Sequence, residues 1–164
     1  MLYNYYVRTD ATIVKYAKIK EKLSQFKRKK MVLVGGCFDL IHFGHLKFLK
    51  KARRQGNFLI IALESDAFIK KTKRKSPIHS QEERAKILAS LNLVDVVVEL
   101  PFFSKNEQYL EMVKIIKPKI IAVTSGDRQL ANKKRQAAMV GAEVKIVTPL
   151  LKKYSTKRII NDFN

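Results

Sequence analysis

The chain has very little of what would build a disulfide, a zinc site or a membrane span. Cys37 is the one cysteine among 164 residues, and tryptophan is absent. A single cysteine cannot form an internal disulfide or a CxxC zinc site, and it fits a reducing compartment, so we expect a cytoplasmic protein. No apolar run is long enough to span a bilayer, and the first residues lack the apolar segment of a signal peptide. We therefore expect no membrane insertion.

Negative charge is also scarce. Fourteen Asp and Glu face thirty-four Lys and Arg, which gives a formal net charge of +20. Such a field attracts polyanions such as nucleotides, nucleic acids or anionic lipid, although a generic basic surface would have the same composition. Basic clusters lie at 27–30, 70–75 and 133–135. No helix-turn-helix, RRM or zinc-finger pattern accompanies them, so a basic nucleic-acid-binding protein is an alternative that rests on charge alone.

From residue 31 onward, short apolar runs alternate with amphipathic stretches. The predicted strands lie at 31–35, 58–63, 94–98, 119–124 and 143–148. The predicted helices lie at 44–55, 80–91, 104–117 and 129–140, with a short helix after Ser155. Strands that alternate with helices indicate parallel β-α-β units. The pattern therefore predicts an α/β fold with a doubly wound, mainly parallel five-stranded sheet and helices on both faces.

The predicted domain organisation is simple. The length suits one ordinary domain. Residues 11–27 (ATIVKYAKIKEKLSQFK) read as a helix that packs on the body, so we expect residues 1–30 to form an N-terminal helical extension. Residues 31–164 are then the functional domain.

The loop after the first predicted strand carries the strongest chemical signal. It reads GGCFDLIHFGH from Gly35 to His45, at the sheet edge where open α/β sheets bind ligands. His42 and His45 flank a helix start, whose free N–H groups form an anion site, and Gly44 would let a phosphate approach the backbone. Paired imidazoles there can donate to phosphate oxygens while a nucleophile attacks the α-phosphorus. Without a nearby third ligand, they make a poor zinc site.

The segment GGCFDLIHFGH resembles the HxGH signature of the cytidylyltransferase-like nucleotidyltransferases. Similar landmarks follow in the family's order: ESDAF and a lysine-rich run before the helix at Ser80, then Gly126-Asp127, then Tyr154-Ser155-Thr156. Within the family, the chain most resembles the heptose 1-phosphate adenylyltransferase domain. Glycerol-3-phosphate cytidylyltransferase and archaeal FAD synthetase are the relatives that stand as alternatives.

The resemblance implies a Rossmann-like nucleotidyltransferase domain over residues 31–164. Its reaction would transfer AMP, or else CMP, from ATP or CTP to a phosphorylated sugar or polyol and release pyrophosphate. FMN adenylylation is the alternative that the FAD synthetases suggest. Asn92 stands where the cytidylyltransferases carry an arginine, and the residues before Tyr154 depart from their closing motif, so the resemblance favours ATP. A homodimer is common in the family.

The resemblance also implies the site residues. His42 and His45 would contact the α- and β-phosphates, and Lys73 and Lys75 would reach the triphosphate and the acceptor phosphate, with Lys71 as an alternative. The other nucleotide-binding positions that it implies are Gly36, Cys37, Phe38, Asp39, Gly44, Arg84, Gly126, Asp127, Tyr154, Ser155 and Thr156. We expect Mg²⁺ to be bound mainly through the nucleotide phosphates, with no dedicated metal site in the protein.

Several of these positions also have structural interpretations. Asp39 would order the histidine loop, Cys37 would pack against the strand end, and Arg84 would pair with a carboxylate. Asp127 is a turn-forming residue type after a glycine. Ser155-Thr156 would act as an ordinary helix N-cap. The loop at 101–105 is where we expect acceptor specificity to lie.

Overall fold

The computed structural model describes residues 10–26, 28–149, 154 and 156–161. In these ranges the sheet has six parallel strands in the order β1-β4-β3-β2-β5-β6. The strands are β1 Thr12–Lys15, β2 Met31–Gly36, β3 Phe58–Leu63, β4 Val96–Glu99, β5 Ile120–Thr124 and β6 Glu143–Thr148. The α-helices are α1 Ile19–Leu23, α2 Phe43–Arg53, α3 Asp66–Lys73, α4 Gln81–Ala89, α5 Asn106–Ile116, α6 Leu130–Ala138 and α7 Thr156–Asn161.

The sheet is covered by helices on both faces, which confirms the predicted fold class. Every residue of β3 is buried, as expected for a central parallel strand. Its side chains alternate between two cores: Ile60 packs in the core that includes residues of α5, and Ile61 packs in the core that includes residues of α2 and α4. The apolar runs that predicted strands are therefore apolar because both faces of the sheet are buried.

The strand order places one switch point in the sheet. From β2 the chain moves outward through β3 and β4, and it later returns to the other side of β2 to add β5 and β6. In open α/β sheets, ligands bind beyond the carboxyl ends of the strands at such a point. The loop after β2 ends at His42, and His45 lies in the first turn of α2, so both histidines lie where a ligand is expected.

The structure corrects the helix predicted over 11–27. Residues Thr12–Lys15 form edge strand β1 beside β4, and the α-helix is limited to Ile19–Leu23 between short 3₁₀ turns. The β-branched run favours a strand, and only Val14 of its four residues is buried. At the end of the paired strands β1 and β4, Lys15 Nζ forms an ion pair with Glu99 Oε2 at 2.9 Å. Division of the chain at residue 31 stays a prediction.

The lysine-rich run at 70–75 is helical as far as Lys73, the last residue of α3. Ser65 caps α3, because its Oγ accepts a hydrogen bond from the Phe68 N–H at 3.1 Å. Ile69 is fully buried and anchors the helix, which ends where Arg74 takes a φ of 52°. The lysines of this run therefore project from a fixed helix end. No helix in the described ranges is long and apolar enough to cross a membrane.

Candidate functional site

His42 and His45 form a stacked pair at the start of α2. Their ring centroids lie 3.8 Å apart with 20° between the ring planes. His42 is the N-cap residue, and its Nδ1 accepts a hydrogen bond from the His45 backbone N–H at 3.4 Å. Because Nδ1 of a neutral imidazole accepts only when it carries no proton, the His42 proton resides on Nε2. The second nitrogen of His42 is thus a donor that can serve a ligand.

Both histidines are held in the neutral form. Burial lowers the pKa of His42, and burial together with the charges of His42 and Lys73 lowers the pKa of His45 to about 4. The Nδ1 atom of His45 is buried and has no hydrogen-bond partner among the described residues. At neutral pH the pair therefore presents hydrogen-bond donors without a positive charge of its own.

The residues before the pair build a strained but well-packed turn. Phe38 is buried at a φ of 45°, a conformation that non-glycine residues rarely adopt. Its ring lies 5.1 Å from that of His45. A Cβ on Gly36 would come within 3.0 Å of the Phe38 ring. Gly36 is therefore required for Phe38 to support the histidine side chain.

Asp39 ties this loop to the segment after α3. Its side chain is 3% exposed. Oδ1 accepts from the Ile78 N–H at 2.7 Å, and Oδ2 accepts from Lys75 Nζ at 3.2 Å. Burial alone would raise the pKa of Asp39, but the hydrogen bonds from Ile78 and Lys75 outweigh it and lower the pKa. Asp39 thus orders the loop and pairs with Lys75, whose predicted contact with a triphosphate stays a prediction.

Arg84 has a similar anchoring position inside the protein. It is fully buried. Its guanidinium pairs with Asp66 Oδ1 at 2.6 Å and donates to the carbonyl oxygens of His79, at 3.1 Å, and Cys37. Arg84 thus joins three segments around the site, as its structural interpretation expected, and its contact with a nucleotide stays a prediction.

The three candidate lysines are separated by the structure. Lys73 ends α3, and its charge acts to lower the pKa values of both His45 and Cys37. Burial nevertheless raises the pKa of the Cys37 thiol overall. Lys71 Nζ lies 5.0 Å from the centroid of the Phe102 ring. Lys73 is therefore the lysine beside the histidines, whereas Lys71 faces the region described next.

A cavity of about 490 Å³ lies next to the histidine loop, beyond the carboxyl ends of β2 and β3 and against α5 and α6. Gly35, Gly36 and Cys37 of the segment from Gly35 to His45 border it. Much of its wall is apolar, and Phe102–Lys105 of the predicted specificity loop contribute to it. Its ionisable side chains, apart from Cys37, are Glu64, Lys71, Lys105, Tyr109, Asp127 and Lys133.

Glu64 is the unusual group in this cavity. It follows β3 directly, and its side chain is 8% exposed. Oε1 accepts from the Tyr109 hydroxyl at 2.9 Å, but Oε2 is buried and finds no partner in the described part of the chain. Burial raises the pKa of Glu64 to about 7, against the opposing effects of Tyr109, Lys133 and Arg84. Burial, with the Glu64 charge beside it, also raises the pKa of Tyr109.

Neither Glu64 nor Tyr109 belongs to a motif that predicted a site residue. The available signal was position: Glu64 stands immediately after a fully buried strand, where a polar residue has a ligand-facing location. Tyr109 lies within α5 and gave no comparable signal.

Asp127 shapes the turn after β5. Gly126 takes a φ of 76°, and Asp127 Oδ1 accepts from the Gln129 N–H at 2.7 Å. Its Oδ2 pairs with Lys133 at 2.7 Å, and both side chains line the cavity. The structure therefore shows the turn-forming interpretation of Asp127, while its contact with the nucleotide stays a prediction.

The carboxyl-terminal segment returns to the histidines. The Tyr154 ring lies 5.1 Å from that of Phe43. A Cβ on Gly44 would meet Tyr154 Cβ at 3.2 Å and the His42 ring at 3.1 Å, so Gly44 permits this close packing. Thr156 begins α7, whereas Ser155 lies outside the described residues. In the described part of the chain, no group of three or more His, Cys, Asp or Glu side chains could hold a metal ion.

Comparison with known proteins identifies the family to which the chain belongs. The cytidylyltransferase-like family model matches residues 33–161. The chain is 42% identical over 125 residues to the bifunctional protein HldE of Aliarcobacter butzleri. The aligned region covers 76% of this chain and 24% of that protein. The HldE of Campylobacter jejuni subsp. doylei is 39% identical over 152 residues, covering 87% of this chain and 31% of the relative. The chain thus spans about a quarter to a third of these relatives.

Solved structures agree with the fold. A lipopolysaccharide core biosynthesis protein from Thermoplasma volcanium matches with a TM-score of 0.61 and 25% identity, over 74% of this chain and 96% of that one. A pantoate-beta-alanine ligase from Francisella tularensis, complexed with beta-gamma ATP and beta-alanine, matches with a TM-score of 0.65, over 92% of this chain and 76% of that one. At 17% identity, the second match concerns the fold alone.

Proposed function

Because the chain belongs to the cytidylyltransferase-like family of nucleotidyltransferases, we propose that it transfers AMP from ATP to a sugar phosphate and releases pyrophosphate. The observation that carries the proposal is the stacked, neutral His42–His45 pair at the start of α2. The HldE relatives support a sugar-phosphate acceptor, and heptose 1-phosphate is the one that the resemblance favours. CTP, glycerol 3-phosphate and FMN are the alternatives that the experiment below includes.

In the proposed reaction, a phosphate oxygen of the acceptor attacks the α-phosphorus of ATP. The bond from the α-phosphorus to the oxygen that bridges to the β-phosphate breaks, and pyrophosphate leaves with that electron pair. Negative charge builds on the α-phosphate oxygens during attack. Neutral imidazole N–H groups and the free backbone N–H groups of α2 are fixed donors for this charge. No covalent intermediate on the protein is needed.

The surrounding residues hold these donors in place. Asp39 and Arg84 anchor the histidine loop through buried hydrogen bonds, so the pair does not have to reorganise during the reaction. Lys73 is the cation beside the pair, and we expect it to contact the leaving pyrophosphate. Mg²⁺ bound to the phosphates would supply charge neutralisation, and we expect phosphate oxygens and water to hold most of its coordination sphere.

The adjoining cavity suits the acceptor. It shares the loop residues Gly36 and Cys37 with the histidine side of the site, so a ligand inside it can extend toward the α-phosphorus. Its volume of about 490 Å³ is within the usual range for small-molecule sites.

A pyrophosphate-release screen tests the proposal. It crosses ATP, CTP, GTP and UTP with heptose 1-phosphate, other sugar 1-phosphates, glycerol 3-phosphate and FMN, each with Mg²⁺. We expect release only when a nucleotide and an acceptor are both present, with ATP and heptose 1-phosphate the best pair. If FMN is the one acceptor that supports release, it replaces the sugar phosphate in the proposal. If CTP is the one nucleotide that supports release, it replaces ATP. No release with any pair would refute it.

A further inference from the structure

We propose that Glu64 selects acceptors that carry hydroxyl groups, by accepting a hydrogen bond from one acceptor hydroxyl through Oε2. This inference rests on the proposed function, since it assumes that the cavity beside the histidine loop receives the acceptor. It goes further by naming the group that recognises the acceptor and the chemical feature that is recognised.

The position of the Glu64 carboxylate carries the argument. The side chain lines the cavity and is 92% buried, being 8% exposed. Its Oε2 finds no partner among the described residues. A buried acceptor without a donor is destabilising, and native proteins rarely keep one without a reason. Because Oε2 belongs to a cavity-lining side chain, a ligand can supply the missing donor.

The rest of the carboxylate is already fixed. The Tyr109 hydroxyl donates to Oε1 at 2.9 Å, and the Glu64 backbone N–H donates to the Gly36 carbonyl oxygen at 3.0 Å. These bonds leave only one oxygen for a ligand. Fixed geometry of this kind favours a specific donor over a mobile water shell.

The neighbouring cations are engaged elsewhere. Lys133 pairs with Asp127 at 2.7 Å, and Arg84 pairs with Asp66 at 2.6 Å. Neither forms an ion pair with Glu64, so the carboxylate keeps an acceptor available. An ionised carboxylate repels phosphate, so the phosphate end of the acceptor must point away from Glu64 and toward Lys73 and the histidines. The hydroxyl-bearing end then faces Glu64.

The remaining wall suits the carbon skeleton of such a molecule. Leu33, Leu100, Met112 and Val113 line the same cavity. Small-molecule sites usually have mainly apolar walls, and a few polar groups fix the orientation of the ligand. A sugar or polyol offers both C–H faces for the wall and hydroxyls for the carboxylate. Burial raises the pKa of Glu64 to about 7 despite the hydrogen bond from Tyr109, which agrees with a carboxylate whose second oxygen lacks a donor.

Binding of heptose 1-phosphate to variant proteins tests this inference. The titration uses the full chain with a non-hydrolysable ATP analogue present. We expect Glu64→Ala to weaken acceptor binding by about tenfold or more, as for loss of a hydrogen bond to a charged group. Glu64→Gln should fall between wild type and Glu64→Ala, because it keeps one acceptor oxygen. The affinity for the ATP analogue should change less than about twofold in both.

Glu99 provides a matched control. It is also a buried glutamate with one unpartnered oxygen, at the end of the adjacent strand β4, but it does not line the cavity. We expect Glu99→Ala to leave acceptor affinity unchanged. Thermal unfolding first checks that both variants are folded. If Glu64→Ala and Glu99→Ala then lose acceptor affinity equally, the effect is a general structural one and the inference is wrong.

Deoxy analogues of heptose 1-phosphate give a test that does not depend on any variant folding. Removal of the hydroxyl that meets Glu64 should weaken binding to wild type by about tenfold and to Glu64→Ala by less than about twofold. If no single deoxy analogue binds wild type more than threefold more weakly than the parent, the inference is wrong. Wild type that neither binds nor converts any acceptor would instead contradict the proposed function itself.

Discussion

The two sides of the site are built in opposite ways. On the histidine side, the buried charged groups are satisfied by protein partners: Asp39 accepts from Ile78 and Lys75, and Arg84 donates to the carbonyl oxygens of His79 and Cys37. Nδ1 of His45 is buried there without a partner among the described residues. On the cavity side, Glu64 is buried with one oxygen unpaired. The charged groups of the histidine side are therefore preorganised for charge stabilisation, whereas on the cavity side Glu64 lacks a donor that a ligand can supply. In this division of labour, the histidine side binds the nucleotide and the cavity side binds the acceptor.

The largest effect should follow from removal of the histidine pair. We expect His42→Ala combined with His45→Ala to lower kcat by about 10³-fold or more, since loss of a single preorganised donor typically costs 10²–10³-fold. Stopped-time pyrophosphate assays measure the change. His79→Ala is the control, because only its backbone carbonyl contacts Arg84. Turnover retained in the double variant would show that the two histidines do not stabilise the charge that builds on the α-phosphate.

Loss of Arg84 should destabilise the whole site. In Arg84→Met the carbonyl oxygens of Cys37 and His79 lose their buried donor, so we expect the free energy of unfolding to fall by roughly 3 kcal/mol. Urea unfolding at pH 7 measures it. Lys86→Met, which breaks an exposed pair with Glu82, should change stability little. Equal effects of the two changes would mean that the loop is not anchored through Arg84.

Glu64 should make the protein less stable as pH rises. Its folded-state pKa of about 7 lies above the ordinary value of 4.5, so between these values the folded state holds a proton that the unfolded state has lost. Stability therefore falls from about pH 4.5 to 7 and then levels off. Relative to wild type, Glu64→Gln should gain about 2 kcal/mol between pH 5 and 8. Parallel stability curves for the two proteins would show that the carboxylate is not destabilised by burial.

Asp39 should have the opposite pH dependence, with a smaller effect. Its folded-state pKa is lowered, so its stabilisation is present above the unfolded pKa and is lost as pH falls through the folded value. We expect Asp39→Asn to lose about 1.5 kcal/mol at pH 7 and the difference from wild type to shrink below about pH 4. Chemical denaturation at both pH values tests this. A constant difference would contradict the ion-paired role of Asp39.

Sequence could predict the histidine side because its chemistry is local. His42, Gly44 and His45 lie within one turn of a helix that follows a buried strand, so spacing alone brought them together. The sheet was also predictable from its apolar runs, apart from β1, which buries a single residue and lacks such a run.

The cavity side could not be derived in the same way. Glu64 and Tyr109 are 45 residues apart, and the hydrogen bond between them depends on how α5 packs on the sheet. The partners of Lys75 and Arg84 were equally hidden, because each is separated from its partner loop by tens of residues. Local patterns identify residue types that can bind phosphate, but long-range packing decides which of them stay free to do so.

A crossed binding experiment tests the division of labour most directly. Affinities for a non-hydrolysable ATP analogue and for heptose 1-phosphate are measured in His45→Ala and in Glu64→Ala by calorimetry. We predict that His45→Ala weakens only the nucleotide and Glu64→Ala weakens only the acceptor, each by about tenfold. If one variant weakens both ligands equally while the other weakens neither, the two sides do not serve the two substrates, and the account is wrong.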